Sequence, residues 1–302
     1  SECGAIAIDV TGVDGGVLFS NDEYLPTRVA NATEKAASTS RQVIQKGETD
    51  ILTADSLVLK RMFEKAEAYL SKKVYSKSIN IYVELIQYGY VPAIYRVGYS
   101  YRYGLGIMES APHALRFLKH AADSCYAPAQ YEYAMMLLGG IGVDASPRVA
   151  VHWLEKAAEQ EHVDAQTELA KCYLGGTGVP TDTVVAGRLL REAASAGHNE
   201  ALFLYAQFMR DTGLEKDSAL GTPLDCLLSA ADNGYADALA LVVEHYKSVG
   251  DYKKVYIYAR TLHQQGDKRG TKTLADCYNN GQGVKRDKGL AKDLYREAGE
   301  ER

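Results

Sequence analysis

The stretch "AQTELAKCYLGGTGV" at residues 165–179 nearly repeats "AQYEYAMMLLGGIGV" at residues 129–143, 36 residues earlier. The same interval separates four alanines along the chain, and a fifth follows after 37 residues: Ala93, Ala129, Ala165, Ala201 and Ala238. Self-similarity at a period of roughly 20–50 residues is typical of repeat architectures. The interval therefore predicts an array of stacked units.

Other positions recur at fixed distances from each opening alanine. A pair of glycines follows in four units: Gly104/Gly106, Gly140/Gly142, Gly176/Gly178 and Gly281/Gly283. A small polar residue comes next: Ser110, Ser146, Asp182, Ser218 and Asp287. A double alanine then approaches the end of the unit: Ala121-Ala122, Ala157-Ala158, Ala193-Ala194 and Ala230-Ala231.

Each recurring position has a physical role in a pair of helices. The opening alanine and the small residues that follow it, such as Gly98, share one helix face and let a neighbouring helix approach closely. The first glycine ends this helix, because glycine tolerates a positive φ. The polar residue then caps a second helix. Since two helices cannot bury their apolar faces alone, neighbouring pairs are expected to stack.

The pattern "A…LAKCYLGGTGV…D…A…LLREAASAGHNEA" resembles the Sel1-like repeat, a relative of the tetratricopeptide repeat. The resemblance is strongest over 93–200 and weakens over 201–237, while 66–89 and 242–266 look more like plain tetratricopeptide units. It implies an all-α, right-handed superhelical solenoid of antiparallel helix pairs over residues 56–302. The expected units are about 56–92, 93–128, 129–164, 165–200, 201–237, 238–269 and 270–302.

Residues 1–55 do not share the repeat and are expected to form an N-terminal extended or linker segment. "AIAIDV" alternates like a strand, and "TGVDGG" before "VLFS" predicts a hairpin turn. The stretch 31–50 either starts a helix capped by Asn31 or is a polar linker. One hypothesis is an intramolecular contact in which residues 1–50 lie in the groove of the solenoid.

Composition narrows the classes of partner. The net charge is −5 and basic residues are not clustered, which argues against a nucleic-acid partner. No apolar run is long enough to predict a membrane span. The five cysteines form no CxxC pair, so unpaired buried thiols are expected. Unpaired thiols slightly favour a cytoplasmic location, although a secreted or luminal one stays open.

The sequence predicts no catalytic residue, no cofactor and no metal site. It has no nucleophile elbow, P-loop, zinc-protease or EF-hand motif. "GIGV" and "GTGV" follow helices and recur with the period, so they are helix ends rather than dinucleotide loops. An enzyme with a weak hydrolase-like site is a remote alternative, because Sel1-like relatives linked to β-lactam binding have paired cysteines that this chain lacks.

The resemblance implies that the first helix of each unit lines a concave groove. The predicted partner-binding residues are Tyr95, Tyr99, Arg102, Tyr103, Tyr131, Met135, Leu138, Lys171, Phe203 and Arg210. Later units turn polar at the equivalent positions, as at Glu244 and Lys247. Tyrosine, methionine and arginine are enriched in protein interfaces, so we expect an adaptor or scaffold that binds a protein or peptide. Two alternatives are that the aromatic side chains only pack between units, or that the solenoid is a regulatory module of a larger protein.

Overall fold

The computed structural model describes residues 51–300, and side chains from residue 56 onward. The hairpin and the helix or linker predicted within residues 1–50, and their contact with the groove, lie outside the described residues. Residues 51–300 contain fourteen α-helices and no β-strand, which confirms the all-α class. The chain divides between His162 and Val163 into two compact parts, each made of several repeats. We call these two parts unit 1 and unit 2.

Consecutive helices pack against each other within each unit, so both units are stacks of helix pairs. Unit 1 contains α1 (Ile51–Ser71), α2 (Tyr75–Ile86), α3 (Val91–Tyr103), α4 (Ala111–Asp123), α5 (Ala127–Gly139) and α6 (Pro147–Ala158). Unit 2 contains α7 (Val163–Gly175), α8 (Thr183–Ser195), α9 (Asn199–Thr212), α10 (Pro223–Asp232), α11 (Ala236–Val249), α12 (Tyr252–Gln264), α13 (Lys268–Asn280) and α14 (Lys288–Ala298).

The opening alanines form the contact surfaces between helices, as predicted. All five are completely buried. Gly98 shows why the positions after them are small, since a Cβ there would lie only 3.0 Å from the backbone nitrogen of Leu118 on α4. The close approach of the paired helices therefore depends on these small residues.

Glycines end the first helices, and some of the polar residues cap the second helices as predicted. Gly104 and Gly140 follow α3 and α5 in the left-handed conformation, with φ of 65° and 64°. The Asp182 carboxylate accepts hydrogen bonds from two backbone N–H groups at the start of α8. Ser110 precedes α4 but makes no side-chain capping bond, because its Oγ lies 2.7 Å from the Nδ1 atom of His113 instead.

The second glycine of each pair has a role that the sequence did not suggest. In three of the four pairs, at Gly106, Gly142 and Gly283, it packs against the first residue of the second helix in the preceding repeat. A Cβ on Gly142 would lie 2.6 Å from the Cβ of Ala111, and one on Gly283 would lie 2.0 Å from the carbonyl oxygen of Tyr252. Both glycines also have a positive φ of 72°. Glycine is therefore required there for its backbone conformation and for its lack of a side chain.

The repeat that begins at Ala201 replaces the glycine pair with an irregular loop. The Asp217 carboxylate accepts hydrogen bonds from the backbone N–H groups of Ala219 and Leu220, at 2.8 and 3.0 Å. The prediction that Ser218 caps the next helix is wrong. Thr222 caps α10 in a capping box with Asp225, because the Asp217 loop delays the start of the helix.

The cysteines only partly match the expectation of unpaired thiols. Cys172, Cys226 and Cys277 are buried and free, whereas Cys125 is disulfide-bonded. None of the helices in the described part of the chain combines the length and the apolar character that a bilayer crossing needs.

Candidate functional site

A side-chain contact recurs along the chain on the face formed by the first helices of the repeats. The residue two positions after the opening alanine packs on the residue that precedes the next first helix. In unit 1 the ring of Tyr95 lies 5.3 Å from that of Tyr126, and the ring of Tyr131 stacks 5.2 Å from that of His162. We call this series of contacts the ladder. In unit 1 its contacts are ring packing.

Unit 2 has ladder contacts of its own, made by other side chains. Thr167 Oγ1 lies 3.1 Å from His198 Nδ1, and the ring of Phe203 lies 5.5 Å from that of Tyr235. His198 Nδ1 also accepts a hydrogen bond from the backbone N–H of Ala201 at the start of α9. His198 therefore also helps to fix where α9 begins.

Three predicted groove tyrosines form one row on α3 and differ in exposure. The ring centroids of Tyr95 and Tyr99 are 5.8 Å apart, and those of Tyr99 and Tyr103 are 4.5 Å apart. Tyr95 is only 8% exposed because Tyr126 covers it, whereas Tyr103 is 46% exposed. Tyr99 is half-buried between them. The exposed aromatic surface of the row is therefore at its Tyr103 end.

An ion pair holds the exposed end of this row in place. The Arg102 guanidinium donates hydrogen bonds to the Glu132 carboxylate and, at 3.1 Å, to the Glu132 carbonyl oxygen on α5. Arg102 also lies over the Tyr103 ring, 5.0 Å from its centroid. The Tyr103 hydroxyl donates to Glu132 at 3.3 Å. Burial, followed by the Glu132 charge, raises the pKa of Tyr103 to about 12, so the hydroxyl stays protonated at neutral pH.

A second charged cluster lies beside the buried end of the row. Arg96 forms a two-bond ion pair with Glu67, at 2.8 and 2.5 Å, and the Tyr82 hydroxyl donates to the same carboxylate at 2.5 Å. Arg96 also lies 5.5 Å from the Tyr95 ring centroid. These bonds connect α1, α2 and α3. Arg96 therefore orders the packing beneath Tyr95.

The other predicted groove residues of unit 1 lie on α5 and are half-buried: Tyr131, Met135 and Leu138. Because α3 and α5 contact each other, these residues and the Tyr103 end belong to neighbouring helices of the same face. We call this surface of α3 and α5 the tyrosine face. It is apolar and aromatic, and its charged members are paired.

The predicted groove residues of unit 2 have a different chemistry. Lys171 lies between two carboxylates, with its Nζ atom 2.7 Å from Glu168 and 2.5 Å from Glu200. Phe203 is half-buried beside Tyr235, and Arg210 is exposed. The Lys171 charge is thus largely neutralised within the protein.

Four segments of the chain match the family model of the Sel1 repeat: residues 91–124, 127–162, 163–198 and 274–301. The chain thus carries four Sel1 repeats. Its structure resembles a Sel1 repeat protein from Oxalobacter formigenes, with a TM-score of 0.69 and 25% identity, over 78% of this chain and 98% of that one. It also resembles the protective antigen c5321 of uropathogenic Escherichia coli, described as an SLR fold. That match has a TM-score of 0.64 and 23% identity, and covers 87% of this chain and 56% of the antigen. No curated protein matches the sequence significantly.

Sequence reasoning missed the partners of the groove residues in this Sel1-repeat protein. Glu67 is 29 residues before Arg96, and Glu132 is 30 residues after Arg102. Both separations are six or seven residues shorter than the 36-residue period, so matching equivalent positions of the repeat does not pair these residues. The residues that precede the first helices, such as Tyr126, were also not recognised as ladder members.

Proposed function

We propose that this Sel1-repeat protein is an adaptor or scaffold that binds a partner protein or peptide on the tyrosine face. The main observation is that Tyr103 is nearly half exposed while Arg102 and Glu132 hold its ring and hydroxyl. An exposed aromatic side chain that is already ordered loses little conformational entropy on binding. Tyrosine in such a setting is a frequent interface hot spot.

The neighbouring residues support a contact surface larger than one ring. Tyr99 packs against Tyr103, and Met135 and Leu138 add half-buried apolar area on α5. Arg102 and Glu132 are mutually paired and little exposed, so a partner that covers them leaves no unpaired charge. An apolar centre with satisfied charges is the usual composition of an interface core.

The three free thiols give no support to the alternative of a weak hydrolase-like site. Burial raises the pKa of the Cys172, Cys226 and Cys277 thiols to about 11, so they are protonated at neutral pH and poorly nucleophilic.

Replacing Tyr103 with alanine is expected to weaken partner binding by about thirtyfold, because truncation of a hot-spot tyrosine costs about 2 kcal/mol. The measurement is quantitative affinity capture from an extract of the source organism, followed by titration of each captured partner against the purified variant.

Tyr88→Ala is the matched control, because Tyr88 is 56% exposed, belongs to the same unit and lies just after α2. It should retain the partners. Equal retention by the two folded variants would contradict the assignment of the tyrosine face. Tyr95 is unsuitable for this test, since its substitution removes a buried packing contact.

A further inference from the structure

The ladder has a gap in the third repeat of unit 2. In the first two repeats of unit 2, the residue two positions after the opening alanine is Thr167 or Phe203. In the third repeat the same position, on α11, is Ala240. The residue that precedes the next first helix is Asp267, which turns back to cap α13 and to bind Arg269. No ring from the ladder therefore fills the space between α11 and α13 in this part of the described chain.

A cleft of about 280 Å³ occupies this position. Its apolar lining comes from Ala240, Val243 and Leu262, and three cations, Lys247, Arg269 and Lys272, stand around it. Glu244, Thr273 and Asp276 complete the lining. Two of these residues, Glu244 and Lys247, occupy groove positions of the repeat pattern. The volume suits one large side chain rather than a whole small molecule.

The cations of the cleft are held by carboxylates. Lys247 Nζ lies 2.7 Å from Glu244 and 3.2 Å from the Thr273 hydroxyl. Arg269 is paired with Asp267 and with Asp237, the latter at 2.9 Å. An anionic ligand would therefore meet cations whose charge is already matched. A neutral aromatic ring needs no counter-charge, packs on the apolar lining and attracts ordered cations to its face.

We propose that this cleft binds an aromatic side chain, phenylalanine or tyrosine, from a partner peptide. The ring takes the place that Ala240 leaves empty in the ladder. This site lies in unit 2 and is separate from the tyrosine face, so it extends the proposed function to a second contact whose failure would leave the first proposal standing.

The test is a methyl NMR titration of the full chain that observes the Val243 and Leu262 methyl groups. The probe is acetyl-Gly-Gly-Phe-Gly-Gly-amide, and the comparison peptides carry alanine or cyclohexylalanine in place of phenylalanine. A single buried ring is expected to give a Kd on the order of 1 mM. The alanine peptide should bind at least about tenfold more weakly. The cyclohexylalanine peptide, which has the size but no π face, should bind about threefold more weakly.

The second part of the test places a larger side chain of the protein itself at position 240, in the gap of the ladder. Ala240→Phe should abolish the shifts caused by the phenylalanine peptide, and the smaller Ala240→Val should weaken them. Ser248→Phe adds the same ring at an exposed position of α11 outside the cleft, and it should leave the titration unchanged. Circular dichroism checks that each variant is helical.

Three results would overturn the proposal. One is the absence of shifts at Val243 and Leu262 up to ~10 mM peptide, well above the expected Kd. Another is equal binding of the alanine or cyclohexylalanine peptide. The third is undiminished binding to folded Ala240→Val and Ala240→Phe.

Discussion

Gly283→Ala is expected to destabilise the last repeats by about 3 kcal/mol or more, the largest effect predicted for a single added methyl group in this chain. The residue has a φ of +72°, and the new Cβ would lie 2.0 Å from the carbonyl oxygen and 2.6 Å from the carbonyl carbon of Tyr252. These are backbone atoms at the start of α12, so no side-chain rotation relieves the clash. Either the loop or α12 must move, and both carry contacts between repeats.

Hydrogen exchange followed by mass spectrometry is the appropriate measurement, because repeat arrays unfold locally. Amides of α13 and α14 should lose protection in Gly283→Ala. Gly250→Ala is the matched control, since Gly250 has a similar φ of +77° but nothing within 4 Å of the added Cβ. Gly250→Ala should lower the free energy of unfolding only by the cost of a left-handed backbone conformation in alanine, about 1–2 kcal/mol. Equal losses in the two variants would show that the close approach to Tyr252 contributes nothing.

Asp217→Ala is expected to lower the free energy of unfolding by about 2–4 kcal/mol, because it removes a buried acceptor shared by several donors. The carboxylate is 8% exposed. It receives hydrogen bonds from Arg191 at 2.6 Å and from the Tyr205 hydroxyl at 3.1 Å, besides those from the loop N–H groups. Urea denaturation at pH 7 measures the loss. The more exposed Asp225→Ala, which removes only the α10 capping box, should lose less, and a reversed order would contradict the role given to Asp217.

Asp217 is also expected to make the free energy of unfolding depend on pH. The hydrogen bond from Arg191, followed by those from the loop, lowers the pKa of Asp217 below its ordinary value. The ionised carboxylate therefore stabilises the fold above its unfolded pKa of about 4, and this contribution is lost as the pH falls toward the folded value. The difference in unfolding free energy between wild type and Asp217→Asn should be full at pH 7 and should shrink below pH 4. A difference that is constant between pH 7 and pH 3 would show that the negative charge of Asp217 does not stabilise the fold.

The features of the fold that could be predicted are those that depend on one repeat alone. The buried alanines and the helix-ending glycines follow from local geometry, so the sequence pattern was sufficient for them. The role of Gly283 was not predictable, because it depends on the backbone of Tyr252 in the preceding repeat. Ser218 was assigned as a cap from its position in the period, but the bonds from Arg191 and Tyr205 to Asp217 impose a longer loop.

The candidate site could also be predicted from the sequence only in part. The repeat register selected Tyr95 and Tyr103 as groove residues, and the structure places both on the first-helix face. Their exposure differs because Tyr126, which precedes the next first helix, covers only Tyr95. The cleft in unit 2 results from a small residue at Ala240, and a search for conspicuous aromatic or charged residues overlooks an alanine.

The packing of each helix on its neighbour along the chain has a consequence for how the protein is made. Nearly every tertiary contact closes a loop of about one repeat or less, so the entropic cost of closure is small and folding should be fast. A repeat can also dock as soon as the one after it has been synthesised. Unit 1 can therefore finish folding on the ribosome while the second half of the chain is still being translated.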